Sequence, residues 1–330
     1  MRLLCFRGSV TRDMDPYFDP VLVTGASGFV GGCTVRRLLQ QGYEVHALLR
    51  PGTRTWRLEG IMDRICVHWA DLLDEAAVRS AIDRARPAAI VHLAAFGAYE
   101  SQTDARRILS TNVLGSLAVL ETGLEAGVRV FVNAGSSSEY GYRADPMHEG
   151  DRLEPNSVYA VAKAAQTHLC RLMAGTSDTA IVTFRLFSVY GPWEEPGRLF
   201  PMLIRRARAR LPLDMASPAI AHDFVYVDDV LDATLAFDKL AAVRGEVLNL
   251  GTGIQSTLQD VVAAVLEVVG SGSEVRWRAM PPRRWDTDTW VADPSRARAM
   301  LGWAPRHTLR DGIAKMAEWM SAHSDYYGRL

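Results

Sequence analysis

The chain has 330 residues, 48% hydrophobic and 23% charged, enough to bury a sizeable core and to suggest two structural units. Thirty-seven basic side chains against 38 acidic ones leave a net charge of −1, which removes the electrostatic case for nucleic acid or an anionic membrane as partner. No apolar run reaches the roughly 18 residues that span a bilayer, and Met1 to Val10 lacks an apolar signal-peptide stretch, so a cytoplasmic protein is expected.

Residues 1–19 are polar and irregular and are expected to form a mobile extension. Regular patterning begins with Val21-Leu22-Val23, a short apolar strand, followed by a glycine-rich turn and a helix over Phe29 to Gln41 that Gly42 ends. Glu44 to Leu49 and Ile65 to Trp69 read as the next two strands, and Glu75 to Arg86 as a helix stopped by Pro87. Ala89 to Leu93 reads as a buried strand, Ile108 to Ala126 as a long helix and Val128 to Asn133 as a fifth strand. A helix over Val158 to Met173 and a strand over Ala180 to Phe184 complete the alternation, after which Pro192, Pro196, Pro201, Pro212 and Pro218 interrupt it.

Strands that are apolar throughout, alternating with helices, specify a parallel sheet covered on both faces. The expected fold is therefore α/β, a Rossmann-type doubly wound sheet with a smaller C-terminal substrate-binding region. The dinucleotide-binding domain is placed at 20–184 plus about 222–252, and the substrate-binding domain at 185–221 and 253–330.

Thr24-Gly25-Ala26-Ser27-Gly28-Phe29-Val30-Gly31 joins the first strand to the first helix. Glycines at 25, 28 and 31 allow a tight turn, close approach of a pyrophosphate and close helix–strand packing, with the helix N-terminus facing the phosphates. The second strand ends in Leu49-Arg50 rather than in an acidic residue that would bind ribose hydroxyls. A guanidinium there suits a 2′-phosphate, so NADP(H) is expected over NAD(H).

Tyr159 and Lys163 stand four apart on one helix face. An ammonium beside a phenol stabilises the phenolate and brings its pKa down into the range of acid–base catalysis, and it can also hold the nicotinamide ribose. The chain has only three lysines, which makes one at this spacing informative.

These motifs, with His92-Leu93-Ala94-Ala95, Asn112, Val189-Tyr190-Gly191-Pro192, Asp223 to Asp229 and Leu301-Gly302-Trp303, resemble the extended short-chain dehydrogenase/reductases, in the nucleotide-sugar epimerase, dehydratase and reductase branch. The resemblance implies that Asp71 and Leu72 contact the adenine, that Leu93, Ala94 and Ala95 border the dinucleotide, and that Ser136 hydrogen-bonds the reacting oxygen. The family's 4,6-dehydratases carry acidic residues directly after that serine, where this chain has Ser137 and Ser138, with Glu139 one place later. Two departures fall in the substrate region: Ser188 replaces the family's usual asparagine, and His222 replaces an arginine that binds diphosphate. Arg284, beside Arg283, is the alternative diphosphate ligand. Ser137, Ser138, Ser188, His222 and Arg284 are thus the candidate substrate residues.

The expected activity is NADP(H)-dependent reduction of a nucleotide-linked 4-keto-6-deoxyhexose, with Ser136, Tyr159 and Lys163 as the catalytic group. The alternatives are a nucleotide-sugar 4-epimerase with bound NAD and a non-catalytic dinucleotide-sensing regulator. A nucleotide sugar and a second copy of the chain, in a homodimer, are the expected partners. Cys5, Cys33, Cys66 and Cys170 match no zinc or CxxC pattern, and His46, His68 and His92 read as core or edge residues, so no metal is expected.

Overall fold

The computed structural model describes residues 15–281 and 286–328. Seven strands, β1 (Val21–Thr24), β2 (Val45–Leu49), β3 (Cys66–Trp69), β4 (Ala89–His92), β5 (Val130–Ser136), β6 (Ala180–Leu186) and β7 (Val247–Leu250), form one parallel sheet in the order β7-β6-β5-β4-β1-β2-β3. β1, β2 and β4 are buried along their whole length, which is why their sequences carry apolar side chains on both faces. The chain builds outward from β1 to β3, then returns to β4 on the other side of β1, so the turn after β1 lies at the point where winding reverses.

Helix α1 (Phe29–Gln41) follows β1 and ends at Gly42, whose left-handed φ of 92° lets its N–H reach the carbonyls of Leu38 and Leu39. Asp74 caps α2 (Glu75–Ala85), accepting the Ala77 N–H. Helix α3 spans 105–125 and passes through a π-helical turn at Ser110–Gly115. Helix α4 (Val158–Ala174) precedes β6. Leu22, Leu48, Ile90, Phe131 and Ile181 of the sheet pack with Val78 and Ile82 of α2 and Val119 and Leu120 of α3 into one apolar core.

The chain divides into two compact units. The first holds the described residues up to Gly141 with Arg152–Arg185 and Ala233–Leu248, and the second holds Tyr142–Asp151, Leu186–Asp232 and Asn249 onward. Residues 142–151, 222–232 and 249–252 therefore fall in the second unit rather than the first, and Arg185 in the first rather than the second. Residues 222–232 lie in the second unit because Phe224–Tyr226 pairs in parallel with Ser188–Tyr190. Residues 142–151 lie there because Met147 exchanges backbone hydrogen bonds with Val291 and Asp293, and Glu149 accepts the Asn249 N–H.

The second unit has its own core, in which Tyr190, Phe200 and Tyr226 pack with α5 (Leu199–Arg208), α7 (Leu258–Val269) and α8 (Leu309–Ala322). A Cβ on Gly312 of α8 would lie 2.0 Å from the Tyr190 hydroxyl, so only glycine admits that ring. Asp228 and Asp229 occupy the first turn of α6 (Val227–Thr234), where carboxylates suit the helix dipole, and Asp229 also accepts from the His307 ring. No helix among the described residues is long and apolar enough to cross a membrane.

Residues 15–19, expected within a mobile extension, are instead anchored. Asp15 caps a short 3₁₀ turn over Pro16–Phe18, and Phe18 is 3% exposed against Tyr17 and Phe237. Residues 1–14 of that segment lie outside the described residues. Phe18→Ala should cost ~3–5 kcal/mol, the usual penalty for emptying a buried aromatic site. It should appear as a lower urea midpoint, and an unchanged midpoint would show that the segment is not part of the fold.

Candidate functional site

The glycine turn is fixed by contacts that tolerate no side chain. Gly25 has φ +67°, and a Cβ there would lie 2.6 Å from the Ala94 nitrogen. A Cβ on Gly31 would lie 2.1 Å from the Gly25 carbonyl oxygen. Gly28 is the N-cap of α1 and supplies no side-chain cap, and the first turn carries no acidic residue. The N-terminal N–H groups and the positive end of the helix dipole thus meet neither a side-chain cap nor a first-turn carboxylate, which fits a dinucleotide pyrophosphate.

Of the expected cofactor residues, Leu93 and Ala94 lie directly against this turn, where a Cβ on Gly25 would meet their backbones. Leu93 and Ala94 donate backbone N–H groups to the carbonyl and hydroxyl of Thr24, tying the end of β4 to the end of β1. Phe29 and Val30 open α1, and Ala95 is exposed after β4. Leu72 is buried under Gly115, and Asp71 is half-buried and accepts the Leu73 N–H. Arg50 is exposed just past β2. Another cation touches the turn itself: the Arg57 guanidinium, stacked 4.2 Å from the Trp56 ring centroid, donates to the Ser27 carbonyl. The Ser27 hydroxyl is 3.2 Å from that of Thr53. Thr53 lies in a loop and Arg57 in the short 3₁₀ turn Trp56–Leu58, neither of which carries a periodic signal, so sequence reading misses them.

Ser157 caps α4 and brings Tyr159 into its first turn with Lys163 one turn later. Tyr159 is half-buried, and its ring lies where a Cβ on Gly97 would touch it at 3.2 Å. Buried Asn112, in the π-helical turn, holds that loop by exchanging two hydrogen bonds with the Phe96 backbone. Lys163 is 2% exposed, and its Nζ donates to the Ala134 carbonyl at 2.6 Å and to Gln166 Oε1 at 2.8 Å. Burial pulls its pKa down to about 8 against the opposing pull of the Glu139 charge.

From Lys163 a buried polar run continues to the glycine turn. Gln166 Nε2 donates to Ser116 Oγ at 2.9 Å, Ser116 Oγ is 2.8 Å from His92 Nε2, and His92 Nδ1 is 2.8 Å from Thr24 Oγ1. Burial lowers the His92 pKa to about 3, so the imidazole is neutral and links the two hydroxyls without adding charge beside Lys163. Gln166 also went unread in the sequence, although its i+3 spacing from Lys163 places it within reach.

Ser136 ends β5 and caps the 3₁₀ turn Ser137–Tyr140, with its Oγ accepting the Ser138 N–H and lying 2.8 Å from Ser138 Oγ. Ser137 is buried in this turn and Ser138 half-buried. Glu139 is fully buried: Oε1 accepts from the Ser136 N–H at 2.8 Å and the Thr167 hydroxyl at 3.0 Å, while Oε2 accepts from Arg185 Nε at 2.9 Å. Arg185 in turn donates to the Tyr140 hydroxyl. The one carboxylate near Ser136 in sequence is therefore committed to the scaffold, and donors occupy both of its oxygens.

Ser188 and His222 belong to the second unit. The Ser188 N–H donates to the Asp223 carbonyl, and His222 sits beside the Trp290 and Phe224 rings. Burial lowers the His222 pKa to about 4, so near neutrality it can offer a diphosphate an N–H but no charge. Arg283 and Arg284 lie outside the described residues.

Residues 21–251 match the family model of the NAD dependent epimerase/dehydratase family. The chain belongs to that family. Among its curated relatives, a UDP-glucose 4-epimerase of Mycolicibacterium smegmatis is 31% identical, the match covering 90% of this chain and 97% of that protein. A dTDP-glucose 4,6-dehydratase of Xanthomonas campestris is 29% identical over 90% of this chain and 92% of its own length. The crystal structure of Thermus thermophilus UDP-glucose 4-epimerase in complex with NAD superposes with a TM-score of 0.81 at 28% identity, covering 92% of this chain and 99% of that one. Membership makes the protein an enzyme of oxidoreductase type with a nicotinamide dinucleotide as cofactor, as the glycine turn and the Tyr159–Lys163 pair imply.

The Lys163 contacts set a pH dependence. The ammonium is the form that would stabilise a phenolate one helical turn away, and it is present below about pH 8 and lost as pH rises through that value. kcat/KM should therefore fall on the alkaline side of about pH 8. Gln166→Leu removes an acceptor that favours the charged form, so this limb should move to lower pH. A limb that stays in place would show that Gln166 does not position Lys163.

Proposed function

We propose that the protein is a nucleotide-sugar 4-epimerase that acts on a UDP-hexose and retains its dinucleotide through turnover, working in the cytoplasm. The observation that carries this reading is the chemistry left around Ser136: a tyrosine–lysine pair for moving one proton, and no uncommitted carboxylate on the Ser137–Tyr140 turn. Elimination of water from the sugar needs an additional acid–base group beside that pair, and Glu139, buried under Arg185, cannot reach a substrate. The UDP-glucose 4-epimerases among the relatives support the same choice.

In this mechanism Tyr159 Oη takes the proton of the sugar 4-hydroxyl and returns it to the same oxygen after the ring has presented its other face. Lys163 keeps the phenolate accessible near neutral pH and holds the ribose. Ser136 Oγ donates to the 4-oxygen while it carries carbonyl character. A dinucleotide held beside this group would supply reversible hydride acceptance at the sugar carbon. The cradle of Gly25, Gly28 and Gly31, with Leu72, Ala94 and Arg57 around it, would hold it.

A second reading, the NADPH-dependent 4-keto-6-deoxyhexose reductase expected from the sequence, rests on Arg50. A guanidinium at the end of β2 suits a 2′-phosphate, whereas the NAD-bound relative supports NAD. Exposed Leu109 and Leu114 on α3, with Val161 and Leu172 on α4, support a homodimer built on these two helices.

Purified protein, denatured and chromatographed, should release about one nicotinamide dinucleotide per chain, and it should interconvert UDP-glucose and UDP-galactose with no cofactor added. Protein that releases none and oxidises NADPH only when given a 4-keto nucleotide sugar would replace the epimerase reading with the reductase. In that event Arg50→Asp should weaken NADPH far more than NADH. Under either reading Tyr159→Phe should lower kcat ~10²–10⁴-fold while dinucleotide binding survives.

A further inference from the structure

We propose that Glu44, His46 and Cys66 form a binding site for a thiophilic divalent cation of the zinc type, at the edge of the sheet and separate from the acid–base pair. The parallel sheet assembles it. Side chains two apart on a strand share a face, which puts Glu44 with His46 and Cys66 with His68. The register of β2 on β3 sets His46 opposite Cys66, so all four side chains fall on one face.

The structure brings one carboxylate oxygen, one imidazole nitrogen and one sulfur within 4.8 Å of one another. Zinc bonds of about 2.0–2.3 Å to oxygen, nitrogen and sulfur place tetrahedral ligands roughly 3–4 Å apart, so closing on an ion asks little movement. His46 Nε2 and Glu44 Oε1 are already 3.1 Å apart. The other ring nitrogen of His46, Nδ1, is 2.8 Å from His68 Nε2. Metal-binding histidines are oriented in this way, by a partner on the nitrogen that does not touch the ion.

The proton balance is simple. Without metal, His46 Nε2–H donates to the Glu44 carboxylate, and His68 Nε2–H donates to His46 Nδ1. With metal, His46 bonds through Nε2 and carries its proton on Nδ1, donating to His68, whose own proton moves to Nδ1. Cys66 binds as thiolate, so one proton per ion leaves to solvent. Glu44 is exposed and Cys66 half-buried, which gives the ion an entry path, and water completes the coordination. β3 is the outermost strand on this side, so the ion would clip an edge strand to its neighbour. His46 pairs with Leu22, toward the start of β1, whereas the glycine turn follows the end of that strand.

The test is titration of the chelator-treated full-length protein with Co(II). Wild type should bind one equivalent, with visible d–d bands of a four-coordinate ion and a thiolate-to-cobalt band in the near ultraviolet, and Zn(II) should bleach both. Cys66→Ser should remove the thiolate band, and His46→Gln should abolish stoichiometric binding. Glu44→Gln, at an exposed position where folding is safe, should weaken it. Chelator treatment should leave sugar turnover unchanged while Zn(II) raises the wild-type Tm. No saturable band in wild type, or a thiolate band that persists in Cys66→Ser, would overturn the site.

Discussion

A carboxylate sealed from water organises the end of the sheet that carries Ser136. Glu139 accepts from the backbone at the end of β5, from Thr167 on α4 and from Arg185 on β6, so one side chain fixes three elements against one another. Removing one partner of such a buried pair typically costs about 3–5 kcal/mol, because the other charge is left uncompensated. Ser136 and Lys163 stand on two of those elements. Their positions thus follow from an interaction in which neither has a chemical part.

That interaction also marks where sequence reading stops. Glu139 reads there as an acid one place out of register for dehydration, because its partner Arg185 lies 46 residues away and nothing local announces the pair. Local features fared better. Buried strands announced themselves as unbroken apolar runs, the glycine turn by its position between strand and helix, and Tyr159 and Lys163 by helical spacing. Val247–Leu250 carries no strand signal in the sequence, since four apolar-rich residues after an irregular stretch have no period to measure. Residues 15–19 looked mobile because a single Phe18 among polar residues gives no pattern, although its burial decides the outcome.

The choice between reductase and epimerase shows a different kind of limit. Both readings call on the same tyrosine, lysine and serine, and they differ in whether hydride returns to the sugar it came from. Arg50 and the serine-rich turn describe what is bound and what is absent, and neither reports on hydride direction.

The Lys163 ammonium carries three hydrogens, and the protein has already committed two of them, to the Ala134 carbonyl and to Gln166. One remains for two duties. If a ribose oxygen takes it, Tyr159 receives no hydrogen bond from the lysine and feels only its field. The phenol would then be tuned through space, and its acidity would depend on how dry its surroundings are.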